Sequence, residues 1–408
     1  MHDLVIVVSD LYIPQEAPER ELPPGVALPG LQHAARFGAK SRAAGGWRPW
    51  LARWLIAGRQ SPPDQLSRRG AAGADTLGGP ERDLLAAAPA TVAAAVVLNA
   101  GGQVMAPIAP AESPGQAPPA TPQPSTAVPS AASAPMVWLA TPVSLVAGLT
   151  SAHLDRRGIL RLSAADLTAL AAEFRRVFHD SGFVLEPLDS GDFLLFGPQL
   201  RVAQMLEPAR AMGNSIANAL GSGDPALRRL GAEIEMWLHE HPVNAARTRR
   251  GEAPVTGLWL WGGGPSPLPR ERVAGHLRAA AGNTHAPSAS SSDIAFGTDA
   301  WLQGLWASIG KKVFPLPQQL PDVFGYPEAR RAALVIEIGL MLHSNPRWTF
   351  FDAVAHIDRA FITPAVEALA AAKVERLVIL ANDHQLTLRA RDRFKLWRRM
   401  PPGLSGLQ

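Results

Sequence analysis

Between His241 and Gly264 the chain reads HPVNAARTRRGEAPVTGLWLWGGG. A polar cluster of His241, Asn244, Arg247, Arg249 and Arg250 precedes an apolar strand, Leu258 to Trp261, that stops in Gly262, Gly263 and Gly264. Glycines beyond a strand let the backbone come close to an anionic group and bind it through N–H donors. Imidazole, amide and guanidinium groups nearby suit the same anion. We therefore read His241, Asn244, Arg247, Gly262, Gly263 and Gly264 as candidate substrate-binding residues. Two further polar groups sit where ligands of open α/β sheets collect, just past strand ends. Asp10 follows the run Leu4 to Val8, and the pair Asp383-His384 follows Leu377 to Leu380.

The elements that must position these residues alternate between two periodicities. Leu4 to Val8 and Leu377 to Leu380 are continuous apolar runs, and Leu334 to Ile338 is apolar but for Glu337, the mark of parallel strands buried on both faces. Residues 28–38 read as a helix. Trp47, Trp50 and Trp54 make a helical stripe that reads as core or as a domain contact. Ser163 with Asp166 predicts a helix start, and Leu167, Leu170, Phe174, Val177 and Phe178 form its apolar face. Two short apolar runs around Asp189 to Asp192 predict a hairpin. Two helices follow, the second begun by Asp224-Pro225, and Asp299 begins another. A crossover helix over about 352–371, kinked at Pro364, joins the last two parallel strands. From Gly101 to about Met136 the chain is Pro, Ala, Ser and Gln, which cannot bury enough apolar surface to offset ordering entropy. Such a stretch predicts a disordered linker, and deleting 104–134 should shift the melting temperature by no more than a few degrees.

Composition narrows the class. With 408 residues, 47% hydrophobic and 18% charged, the chain can bury a sizeable core. Net charge is +4, carried almost wholly by arginine, and no basic stripe with interleaved aromatics points to nucleic acid. The absence of cysteine excludes disulfides and thiolate chemistry, leaving imidazole and carboxylate as metal ligands. No apolar run reads as a signal peptide or a membrane span, so a cytoplasmic location is expected.

The segment from His241 to Gly264 resembles the archaeal-type cofactor-independent phosphoglycerate mutases of the alkaline phosphatase superfamily. His241, Pro242, Asn244, Arg247, Pro254, Trp259, Trp261, Gly262 and Gly264 match that family's pattern, while Val255-Thr256 replace its Ala-Asn pair. The resemblance implies an α/β fold of alkaline phosphatase type: a doubly wound, mostly parallel sheet with a smaller inserted α+β domain. The expected boundaries are 1–100 and 241–408 for the core, 101–136 for the linker and 137–240 for the insert. It implies two divalent metals (Mn²⁺, Zn²⁺ or Mg²⁺) flanking a Ser or Thr nucleophile that handles a phosphoryl group. One metal would take Asp10, Asp383 and His384. The other metal's Gly-His-Asp-Gly type run is missing where this chain has Gly339 to Asn345, leaving His343 and His356 as scattered histidines. Ser41, Ser61 and Ser67 lack the nucleophile's neighbours. These departures are similar to those of the bacterial RpfE-type branch, usually labelled regulatory, which shares Ser9-Asp10-Leu11 and the Trp138-Leu139 and Pro142-Val143 run. The resemblance thus implies a degenerate site holding at most one metal. Two functions stay open: a phosphoglycerate mutase-like protein binding a phosphorylated small molecule, or a non-catalytic regulator acting through a protein partner.

Overall fold

The computed structural model describes residues 1–11, 22–43, 45–60, 89–93, 135–147, 152–154, 156–200, 206–212, 224–266, 292–381 and 383–394. Nearly all of the linker expected at 101–136 lies outside the described residues.

The three apolar runs form the centre of a six-stranded, mostly parallel sheet. β1 (Asp3–Val8) pairs in parallel with β10 (Arg331–Ile336) on one side and β11 (Arg376–Ala381) on the other. Outside β10 lies β9 (Asp293–Phe296), also parallel. Outside β11 lie β12 (His384–Arg389) and β2 (Ala39–Arg42), with β12 antiparallel to both of its neighbours. The helical crossover does join β10 to β11, but β1 sits between them, so the two strands are not hydrogen-bonded neighbours.

Continuous apolar runs are required here because both faces are covered. On β1, Leu4, Ile6 and Val8 pack under the helices Pro29–Phe37 and Phe350–Ala370, while Val5 and Val7 pack under Trp47–Gln60 and Ala300–Ala307. All five are essentially inaccessible. The helix at 350–370 is interrupted by a π-helical turn, Asp358–Ile362, immediately before Pro364. The wider turn accommodates the break in hydrogen bonding that proline imposes.

A separate antiparallel layer contains β3 (Met136–Val143), β6 (Val184–Pro187), β7 (Phe193–Gly197) and β8 (Gly257–Pro265), in the order β6-β7-β3-β8. A two-stranded ribbon, β4 (Val146–Ala147) with β5 (Ala152–His153), extends it. The expected hairpin is β6–β7, and the expected helices Ala164–Val177 and Pro225–His239 cover one face. Their starts are capped as the sequence predicts: Ser163 accepts from Asp166 N at 3.1 Å and Asp224 from Ala226 N at 2.9 Å. The opposite face, with Leu139, Phe196, Trp259 and Trp261, packs toward Ala300 of the larger unit.

One strand differs from its expected position. The Trp-Leu-Trp-Gly-Gly-Gly strand is β8, an edge of the antiparallel layer, and carries that layer past the boundary expected at 240. Periodicity cannot assign a strand to a sheet. Its partner β3 lies more than a hundred residues earlier, with β6, β7 and their helices in between. Among the described residues, no helix is long and apolar enough to cross a membrane.

Candidate functional site

The carboxyl ends of β1, β9 and β10 face the antiparallel layer across a cleft of about 480 Å³, including its open mouth. Strand geometry explains what reaches it. Asp10 comes two residues after β1, Glu337 directly after β10 and Asp299 three residues after β9. The antiparallel layer contributes Thr141, Arg161, Asp192, Glu207 and Trp261, and the helix Trp47–Gln60 contributes Arg48.

Charge in this cleft is organised around two buried guanidiniums. Arg48 bonds Glu207 through Nη1 and Asp299 through Nη2, each at 2.8 Å. Its Cζ lies 4.4 Å from the Trp47 ring centre and 4.9 Å from that of Trp261, a cation held between two indoles. Arg161 pairs with Asp192 at 2.7 Å and with Glu337. Burial works against both charged guanidiniums, but the adjoining carboxylates outweigh it and raise the pKa of each arginine. Burial pushes the Glu337 carboxyl up; Arg161 opposes this, while Asp299 and Asp10 add to it. Thr298 Oγ1 also donates to Glu337 at 3.0 Å.

The expected metal ligands are near one another in topology and apart in engagement. Asp10 and Asp383 do follow adjacent parallel strands, since Val8 is level with Ala381. The Asp10 carboxylate, however, accepts from Ile338 N at 2.6 Å and Gly339 N at 2.7 Å, capping the helix Ile338–Ser344. Asp383 is ion-paired with Arg210, and His384 opens β12 level with Arg42. Among the described residues no group of three or more His, Asp or Glu side chains is placed to hold a metal ion. As placed, Asp10, Asp383 and His384 do not fit one divalent cation. His343 reaches Ile159 O through Nε2 at 2.6 Å, and the His356 ring lies tilted against Trp348, 5.0 Å between centroids. Ser41 is exposed on β2, while Ser61 and Ser67 lie outside the described residues.

The run from His241 to Gly264 is engaged mainly within the antiparallel unit. His241 Nδ1 accepts from Val243 N at 3.1 Å, which leaves its proton on Nε2, 2.7 Å from Glu173. Burial lowers the His241 pKa, with Glu173 opposing. Asn244 donates to Leu238 O and Val255 O and accepts from Val255 N, closing the loop that leads into β8. Arg247 holds Asp166, Glu252 and Ala253 O. The glycines serve close packing: a Cβ on Gly263 would stand 2.3 Å from the Trp138 indole nitrogen, and Gly262 has a φ of +64°. They lie beside an irregularity in the β3–β8 register between Val137 and Leu139. From this run, Trp261 reaches the cleft, its Nε1 donating to Thr141 Oγ1 at 3.0 Å.

Several cleft residues carried little signal. Glu337 ends an apolar run in the same way as Asp10, a parallel that sequence reading could have used. Asp299 reads as a helix cap, and it does accept from Leu302 N at 2.9 Å while also binding Arg48. Arg48 and Arg161 stand in no pattern, because their partners lie between 31 and 251 residues away.

No family model matches the chain, and no curated protein does. Among solved structures, a cofactor-independent phosphoglycerate mutase from Thermoplasma acidophilum is similar at 13% identity and a TM-score of 0.33, over 95% of this chain and 89% of that one. The PH0037 protein from Pyrococcus horikoshii is similar at 11% identity and a TM-score of 0.39, over 95% of this chain and 87% of that one. Likenesses at these identities and scores decide nothing about the chemistry of the cleft.

Proposed function

We propose that this chain is a non-catalytic protein of phosphoglycerate mutase-like architecture with a degenerate metal site, acting in regulation through a protein partner. The charge inventory of the cleft supports the non-catalytic part of this reading. Five carboxylates (Asp10, Asp192, Glu207, Asp299 and Glu337) line it against two guanidiniums, and each guanidinium is already held by two of the carboxylates. A phosphate ester entering without a cation would meet excess negative charge in a poorly solvated space. A phosphoryl-transfer step needs a nucleophile and a clamp for the attacking and leaving oxygens. Among the described residues, the groups lining the cleft supply no such clamp.

A phosphorylated small molecule remains a second reading, favoured by Arg48 and Arg161, since guanidiniums bind phosphate in bidentate fashion. For that ligand the ion pairs to Asp299 and Glu337 would have to open.

Two measurements on the purified protein decide. In a coupled assay with Mn²⁺, interconversion of 2- and 3-phosphoglycerate should be negligible and equal for the wild type and Asp383→Ala. Calorimetric titration with 3-phosphoglycerate should show no binding at millimolar ligand. Turnover abolished by Asp383→Ala would establish an enzyme. Saturable binding without turnover would favour the second reading.

A further inference from the structure

We propose that fixed guanidinium charge has taken over the role of a divalent cation in this cleft, so that Arg161, with Arg48 beside it, neutralises the carboxylates and joins the two layers without metal. The resemblance implies an ion near Asp10, Asp383 and His384; the side chains are engaged in another way. Asp10 is taken by two backbone N–H groups and Asp383 by Arg210. The residue surrounded by carboxylates is Arg161. Asp192 and Glu337 contact it from opposite layers, and Asp299 acts on it electrostatically from a third element. Two carboxylates from separate segments closing on one buried positive charge is a pairing that a hard divalent ion could also neutralise. A guanidinium fills it differently: its planar fork satisfies two carboxylates at fixed angles and cannot be lost to a chelator.

The bridging follows one pattern. Arg161, from the antiparallel unit, reaches Glu337 behind β10. Arg48, from the larger unit, reaches Glu207. Arg210, from the segment beside Glu207, reaches Asp383 behind β11. Every bridge crosses between the layers, as a shared metal would.

In the wild type Arg161 occupies the place a metal would need, and removing Arg161 frees it. Arg161→Met keeps side-chain length but leaves Asp192 and Glu337 as uncompensated buried carboxylates. The experiment compares wild type, Arg161→Met and Arg161→Met/Glu337→Gln by thermal melting at neutral pH, in EDTA and in millimolar Mn²⁺. Equilibrium dialysis with Mn²⁺ runs alongside. Wild type should bind no stoichiometric Mn²⁺ and melt within about 1 °C in the two buffers. Arg161→Met should melt at least about 5 °C lower in EDTA and recover about half of that loss or more in Mn²⁺. The double variant should lose the response to Mn²⁺. Stoichiometric Mn²⁺ on the wild type, or an Arg161→Met protein that is destabilised equally in both buffers, overturns the proposal. Should Arg161→Met be insoluble in EDTA, recovery of folded protein in Mn²⁺ supports it, and recovery in neither buffer counts against it. These readouts are independent of turnover and of any partner, so they can fail while the functional reading stands.

Discussion

Gly263 shows how one residue type can serve two different purposes. A glycine after an apolar strand suits an anion cradle, yet here its missing Cβ makes room for the Trp138 ring, which is 1% exposed. Gly263→Ala should therefore destabilise the protein by about 2–3 kcal/mol, because neither the indole nor the strand backbone can yield by that much. Denaturant unfolding measures this; an unchanged midpoint would show that β8 has slack. Glu186 offers a test by pH. Burial pushes its carboxyl up to about 7, with Arg175 pulling it back, and its Oε1 has no hydrogen-bond partner among the described residues. Because the folded-state value lies above the unfolded one, the stabilising contribution is complete below the unfolded pKa and is lost as pH rises through about 7. Glu186→Gln should raise the melting temperature by about 2–6 °C near pH 8.5 and change it little near pH 4.5. An equal gain at both pH values would mean that the carboxyl is not titrating.

At the level of elements, the helix Pro29–Phe37 illustrates a start that its own sequence does not cap. Leu28 precedes it with no side-chain acceptor, and Pro29 occupies the first turn. The acceptor comes from the π-helical turn more than three hundred residues later. Asp358, 1% exposed, accepts from Gly30 N at 3.0 Å and Leu31 N at 2.6 Å, and Thr363 Oγ1 donates to it at 3.1 Å. Gly30 permits the approach, since a Cβ there would lie 2.6 Å from Thr363 N. Asp358→Ala leaves two buried donors unpaired and should cost about 2–4 kcal/mol. Amide exchange at Gly30 and Leu31 should speed up more than exchange in β1. Uniform acceleration throughout the sheet would instead indicate global unfolding and would remove the local role assigned to Asp358.

Across the whole molecule, charge is sorted to the two ends of the parallel sheet. The amino ends hold buried pairs, Asp3 with Arg376 and Asp293 with Arg331, which also binds Trp54 O and Leu55 O. The carboxyl ends hold the cleft, and there the pairs Arg48–Glu207, Arg161–Glu337 and Arg210–Asp383 run between layers. A further clamp joins the units beside the cleft. Arg157 donates to Leu342 O at 3.0 Å, Pro346 O at 3.0 Å and Trp348 O at 2.6 Å. Arg157→Ala strands three carbonyls and weakens the joint without touching either core. It should lower the melting temperature by about 2–4 °C and broaden the calorimetric transition, as the two units begin to unfold separately. A sharp transition at the original temperature would show that the apolar contact around Trp261 and Ala300 is sufficient by itself.

What the amino-acid sequence by itself determined was local. Runs such as Leu4 to Val8 must be doubly buried strands, because no exposed face could tolerate five consecutive apolar side chains. The caps at Ser163, Asp224 and Asp299 were equally readable, since a helix start depends on groups three or four residues apart. Placing Asp10 and Asp383 at the carboxyl ends of parallel strands also followed from local pattern; that the two strands are neighbours came from the pairing of β1 with β11. Tertiary structure decided the rest. It paired β8 with β3 across more than a hundred intervening residues, turned Asp10 onto the N–H groups of Ile338 and Gly339, and brought Arg161 to Glu337. Each of those outcomes depends on pairings between distant segments, and a buried charge takes its partner from whichever segment packs against it.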